Sequence, residues 1–224
     1  MFESSDSIRR IIILDKDGQA VLLYPLGTFN VTDLSFREYF IQARDTGRLF
    51  VSDIFEAFVD NSHRKVISVS APLYTPDKQF TGVLVASLNL DAVSARLQKI
   101  AVVDRKEYIV VLDRRGKRIM HPVPSAIGTD TEPTDPTLLA VQGQTGVGEG
   151  DTYDGIHSVI AYTPVESVHW AIALKAPYGD IYALSGEANV VVAGLIIGCI
   201  MIAALIFQVS YIFRYKSSGG GGSP

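Results

Sequence analysis

Cysteine is nearly absent: Cys199 is the only one in 224 residues, and it sits inside an apolar run. Residues 1–189 therefore have no disulfide framework. The four histidines, at 63, 121, 157 and 169, have no metal-ligand spacing with one another or with a cysteine, so no metal site is expected. A Gly-x-Ser-x-Gly elbow is missing, as is any Ser/His/Asp grouping by motif, which leaves catalysis without a constellation to perform it. The opening MFESSDSIRR has no apolar leader segment. Acidic residues are missing from the C-terminal end: all 24 precede residue 190, while Arg214 and Lys216 follow the apolar run. The part before the run holds 18 basic residues against 24 acidic, a balance of −6, and this excludes a nucleic-acid-binding charge pattern.

What is present is first of all a long apolar stretch. Residues 190–213, VVVAGLIIGCIMIAALIFQVSYIF, run 24 positions without a charge. At about 1.5 Å per residue such a helix spans roughly 36 Å, enough to cross a bilayer with some tilt. A transmembrane helix is expected over 188–213. The basic residues just after it place the C-terminus in the cytoplasm and residues 1–187 outside. Gly194 and Gly198 form a Gly-x-x-x-Gly step that lets two such helices approach closely, a candidate dimer contact. The terminal SSGGGGSP reads as an engineered flexible linker on a short cytoplasmic stub, residues 214–224. An exported domain needs an export signal, so either a segment preceding Met1 or the last helix itself is expected to supply it.

The rest of the chain repeats itself. IIILDKDGQAVLLYPLG (11–27) and YIVVLDRRGKRIMHPVPSAIG (108–128) share one plan: an apolar run, Asp-x-x-Gly, a second run, a proline and a later glycine. In each, the Asp caps a turn and the Gly adopts a positive φ. VISVSAPLYTPDKQFTGVLVASLNL (66–90) is echoed by HSVIAYTPVESVHWAIALKAP (157–177). Two α+β modules of about 90 residues follow, each an antiparallel sheet with helices on one side. DAVSARLQKIAVV (91–103) reads as a connecting helix with Asp91 as N-cap. A cap at Asp180 would open a helix running into the span.

These pieces, with LSFREYF and GQTGVGEG, resemble the double Cache family of extracytoplasmic sensor domains, which are tandem PAS-like folds. The resemblance covers about residues 8–213 and rests on order and spacing. It implies residues 1–90 as a membrane-distal ligand-binding module, 91–106 as connector, 107–187 as a membrane-proximal module, then the span. It also implies a bacterial inner-membrane receptor, a homodimer in contact with lipid. Its cytoplasmic output would be a histidine kinase, diguanylate cyclase or chemotaxis domain lying beyond this chain. The family usually begins with a first transmembrane helix and a long helix, and the chain holds only SSDSIRR in their place.

In the amino-acid-binding branch of that family, an Arg-x-aromatic-aromatic string holds the ligand carboxylate, and Arg37, Tyr39 and Phe40 match it. A guanidinium meets a carboxylate with two parallel donors, and aromatics wall off water. A plain alternative is a helix start with Ser35 as cap and Arg37 in solvent. The branch's ammonium-binding acceptors fall on Phe55, Ala57 and Ser87, which leave a phenyl, a methyl and one hydroxyl. Asp53 is near enough in sequence to restore one acceptor. A carboxylate without an amine fits these residues better than an α-amino acid does. TGVGEG (145–150) lacks the strand-then-helix context of a phosphate loop and reads as hairpin. TDTEPTD (129–135) reads as a solvated loop, His121 as structural and Trp170 as core. No cofactor is expected. The competing class is a structural or protein-interaction module that binds no small molecule, and a pocket walled by apolar groups at Arg37 discriminates the two.

Overall fold

The computed structural model describes residues 7–25, 32–57, 64–100 and 107–182. The apolar run with Gly194 and Gly198, and the linker after it, lie outside the described residues. Among the described residues no helix is long and apolar enough to cross a membrane. Contacts divide the chain into two units, Met1–Arg96 and Leu97–Pro224.

The first unit runs β1 (Ile8–Asp15), β2 (Ala20–Tyr24), α1 (Glu38–Thr46), β3 (Phe50–Val51), β4 (Phe55–Glu56), β5 (Lys65–Val66), β6 (Ser68–Tyr74), β7 (Phe80–Leu88) and α2 (Leu90–Ile100). Five strands form an antiparallel sheet in the order β2-β1-β7-β6-β3, and β4 and β5 make a separate pair. Strand alternation places Ile12 and Leu14 of β1 beside Val83 and Val85 of β7 on one face. Helix α1 covers that face with Tyr39, Phe40 and Ala43. It stops at Gly47, which takes a left-handed φ of 64° and returns its N–H to the Ala43 carbonyl.

The second unit continues with β8 (Tyr108–Leu112), β9 (Arg118–Met120), a short 3-10 turn, α3 (Thr137–Val141), β10 (Gly146–Asp151), β11 (His157–Val165), β12 (Trp170–Pro177) and α4 (Tyr178–Tyr182). Its sheet order is β10-β11-β12-β8-β9. Read from the other edge this is second strand, first, last, penultimate, middle, the same order as in the first unit. TGVGEG is strand β10, paired along its length with β11. Trp170 opens β12, which is buried almost from end to end.

The repeated Asp-x-x-Gly turns match bond for bond. Asp15 Oδ1 accepts the N–H groups of Asp17 and Gln19 at 2.9 Å, and Asp113 Oδ1 accepts those of Arg115 and Lys117 at 2.9 Å. Gly18 and Gly116 sit at φ 84° and 77°. The carbonyl of each then docks the chain ahead of the next helix, Gly18 accepting from Leu34 N–H and Gly116 from Thr131 N–H.

Three helix starts differ from the sequence expectation, the first being α4, which begins at Tyr178, so that Asp180 lies inside its first turn and is not its cap. Ser35 does not cap α1: its N–H donates to Asp33 Oδ1 in a local turn, and Arg37 occupies the cap position with no side-chain cap bond. Asp91 does not cap α2, because the helix already begins at Leu90, and Asn89 Oδ1 accepts the Ala92 N–H instead.

Candidate functional site

The first unit holds an open cleft of about 360 Å³, counting its mouth. Its inner part is narrow, with room for about one ordered water. Arg37, Tyr39, Phe55, Ala57 and Ser87 all line it. These come from the start of α1, from β4 and its end, and from β7, which are far apart in sequence. The turn at Gly18 sets the position of the segment before α1, since Gln19 bridges to Asp33 while Leu34 bonds Gly18.

Arg37 is held between rings. Its guanidinium carbon lies 5.2 Å from the Phe36 ring centroid and 5.3 Å from that of Phe55. The Tyr39 ring packs against Phe55 at 5.7 Å. Burial pushes the Tyr39 phenol up to about 12, against the opposing pull of Arg37, so it remains a neutral hydroxyl near pH 7. Serine hydrogen bonds tie together the strands around Ser87. Ser87 and Ser68 share a hydroxyl hydrogen bond of 2.9 Å, and Ser52 Oγ accepts the Ser68 N–H at 2.9 Å. Ser70 Oγ donates to the Tyr39 carbonyl at 2.8 Å, tying β6 to the start of α1.

Two of the sequence candidates lie elsewhere. Phe40 is fully buried in the core beneath α1, with the Arg44 guanidinium 5.3 Å over its ring. Successive helix residues point about 100° apart, so Tyr39 and Phe40 cannot both face the cleft. Asp53 is buried but outside the lining.

Sequence reasoning missed Arg9 and Arg10, both in the lining. Neighbours on a regular strand point to opposite faces. Here the pairing of β1 with β7 shifts register between Ile8 and Arg10: Ile8 faces Leu88 and Arg10 faces Ser87, leaving Arg9 as an extra residue. Such a bulge re-aims side chains, and it accounts for two consecutive arginines reaching one cleft. Only the unusual Arg-Arg pair ahead of an isoleucine run signalled it in sequence.

In the second unit the corresponding strand position carries a buried lysine. Tyr108 pairs with Lys175 across β8 and β12 where Arg10 pairs with Ser87 across β1 and β7. Lys175, only 1% exposed, donates to Asp135 Oδ2, and Asp135 Oδ1 accepts the Thr137 N–H at 2.9 Å. Nearby, buried Arg118 bonds Thr129 Oγ1, the Asp130 carbonyl and Glu132. TDTEPTD is thus a correction to the solvated-loop expectation, since Glu132 and Asp135 turn inward onto buried cations. His121 packs edge-on to Tyr108 and Tyr153, at 5.3 and 5.7 Å, and accepts the Val123 N–H on Nδ1. Burial, reinforced by Arg118, brings its imidazole down to about 4. Among the described residues no His/Cys/Asp/Glu group is arranged to hold a metal ion.

A family model described as Cache domain matches residues 1–185. Among solved structures, the chain is similar to the extracellular domain of the proposed histidine kinase rpHK1S-Z16 (24% identity, TM-score 0.63, covering 80% of this chain and 74% of that one). It is similar to the ligand-binding domain of the Pseudomonas aeruginosa PAO1 amino acid chemoreceptor PctB in complex with L-Gln (17%, 0.61, 82% and 74%). A third is that of the amino acid chemoreceptor PctC of the same organism, in complex with GABA (20%, 0.56, 74% and 71%). At these identities the likeness establishes a shared fold. No curated protein matches the chain in sequence.

Proposed function

The chain belongs to the Cache domain family, and on that premise we propose that residues 1–187 are the extracytoplasmic small-molecule-sensing part of a bacterial transmembrane receptor, with a small carboxylate as ligand. The observation that carries this reading is the convergence of Arg37, Tyr39, Phe55 and Ser87 on one cleft. A guanidinium offers paired donors to a carboxylate, and the Tyr39 and Phe55 rings beside it supply apolar lining. No carboxylate lines the cleft among the described residues. An ammonium buried there without an acidic partner would cost several kcal/mol, which disfavours an α-amino acid.

In this proposal the two like-ordered sheets are tandem PAS-like Cache modules, residues 1–90 distal and 107–187 proximal, joined through 91–106. Residues 188–213 cross the inner membrane in contact with lipid, Gly194 and Gly198 pack against a second copy, and 214–224 lie in the cytoplasm. The chain itself catalyses nothing and needs no cofactor. It biases an output domain, and a ligand shifts that balance only by its differential affinity for the two states.

The test is a thermal-shift screen of the full chain in lipid nanodiscs against monocarboxylates, amino acids, amines and purines. A ligand at 100 times its dissociation constant stabilises the fold by about 2.7 kcal/mol. At least one acid is expected to raise the midpoint of the wild type and not that of Arg37→Ala. A well-folded protein that responds to nothing would favour the interaction-module reading.

A further inference from the structure

Strand pairing in the second unit brings two loops to the end of the sheet where β12 finishes. Pro177, the last residue of β12, faces Ser158, so the turn between β10 and β11 lies at that end. Tyr108 faces Lys175 there, and β9 runs out beside it, with Met120 facing Val111. Beyond β9 come Pro122, Val123 and Pro124, all exposed, Val123 at 38%. In the β10–β11 turn Tyr153 is 38% and Ile156 44% exposed. His121 joins the two loops: its ring centre lies 5.7 Å from that of Tyr153, and its Nδ1 accepts the Val123 N–H at 3.0 Å. Thr152 closes the turn, its N–H donating to the Ile156 carbonyl and its Oγ1 accepting the Ile156 N–H. Tyr153 is also held by the Arg118 guanidinium, 5.3 Å from its ring centre, while more than a third of the residue stays in solvent.

Apolar groups exposed together on loops that are pinned in place mark a contact surface. The chain itself indicates the partner. It leaves the sheet at this same end, and seven residues, 183–189, separate α4 from the uncharged run at 190–213. Even fully extended, the path from Tyr182 to Val190 reaches no more than about 29 Å. A patch too small to hold a free protein on a bilayer is sufficient when a tether keeps its local concentration high. A tyrosine ring beside aliphatic groups suits the headgroup layer, which is wet on one side and apolar on the other. The β10–β11 turn and its flanks carry Glu149, Asp151 and Asp154 and no lysine or arginine, so attraction to anionic lipid does not supply the contact. We propose that the Pro122–Pro124 loop and the Tyr153–Ile156 turn rest on the headgroup layer of the membrane that holds residues 188–213. This relies on the transmembrane reading of that run and adds a second, peripheral contact to it. Two loops and a tether together fix the tilt of the second unit over the bilayer.

The test uses the full chain in phosphatidylcholine nanodiscs whose lipids carry a nitroxide quencher, either on the headgroup or deep in the acyl chain. One environment-sensitive fluorophore is attached at a time. Native Cys199 takes it in one sample, and in a Cys199→Ser background it goes to Val123→Cys, Ile156→Cys or Glu166→Cys. Glu166 is exposed at the far end of β11, about 30 Å away at about 3.3 Å per residue, so headgroup quenching at 123 and 156 should exceed that at 166 at least about threefold. Ile156→Asp should weaken the quenching at 123, and so should replacing part of the lipid by phosphatidylglycerol. Val123→Asp, read from a label at 156, stands in if Ile156→Asp fails to fold by circular dichroism. Equal headgroup quenching at 123, 156 and 166, with Cys199 quenched from the acyl chain, overturns the inference and leaves the transmembrane reading standing. Quenching at 123 that grows with phosphatidylglycerol overturns the apolar contact as well. A label on Cys199 that the acyl-chain nitroxide does not reach removes both readings.

Discussion

Removing one partner of the Lys175–Asp135 pair should be among the most damaging single changes to the second unit. Both residues are essentially inaccessible, at 1% and 2% exposure, and they bond directly across 40 residues of sequence. Lys175→Met leaves a buried carboxylate without its cation, a situation that costs about 3–5 kcal/mol. Asp135→Asn isolates the charge, since Oδ1 can still accept the Thr137 N–H that Asp135 accepts now. It should cost a comparable amount through the stranded ammonium. The double variant Lys175→Met with Asp135→Asn removes both charges and keeps the acceptor for the Thr137 N–H, so its cost should fall well below the sum of the two singles, by at least about 2 kcal/mol. With total stability of about 5–15 kcal/mol for such a unit, and about 4–8 °C per kcal/mol at this size, either single change lowers the midpoint by at least about 12 °C. Urea unfolding of the four proteins, followed by the fluorescence of Trp170 at the head of β12, measures the cycle. Singles costing under about 1 kcal/mol, or strict additivity, would refute the argument that the pair is dry and mutually dependent.

Three further outcomes rest on other contacts of the structure. Gly18→Ala forces a left-handed residue at φ 84° and sets its Cβ 2.5 Å from Ser35 Cα, so it should destabilise the first unit by about 1–3 kcal/mol and weaken ligand binding through the displaced Arg37 segment; chemical denaturation and titration read the two effects. His121 has its folded pKa lowered from 6.5 to about 4, so the unfolded chain binds the extra proton between those values; stability is fully present above about pH 6.5 and falls by up to about 3 kcal/mol on acidification to pH 4, a slope that His121→Gln should flatten in urea titrations. Ser87→Asp introduces a carboxylate into the cleft, and it should weaken acid binding at least tenfold while allowing an α-amino acid to bind, read by calorimetry.

The strands and their turns were legible because their causes are local. Asp-x-x-Gly at 15–18 and 113–116 dictates the same hydrogen bonds wherever it closes a hairpin, and the repeat of that signal exposed two like sheets. The convergence of Arg37, Phe55 and Ser87 was legible only through a family resemblance, since nothing in spacing brings β4 and β7 to the start of α1. Phe40 was misplaced because a motif written as a string ignores the turn of the helix, which carries it into the core. Arg9 and Arg10 were invisible to alternation, because a bulge is a breach of the very period used to read a strand. Lys175 was the one charge in WAIALKAP, and its partner was hidden in a stretch that looked solvated; a buried lysine announces that an acid must meet it, but not which one.

The most direct test of the account is a crystal structure of the protein with the tightest-binding acid from the titrations. It should place a ligand carboxylate within hydrogen-bonding distance of the Arg37 guanidinium in the cleft of the first unit, beside Tyr39 and Phe55. A ligand bound elsewhere, with Arg37 making no contact to it, would contradict the account.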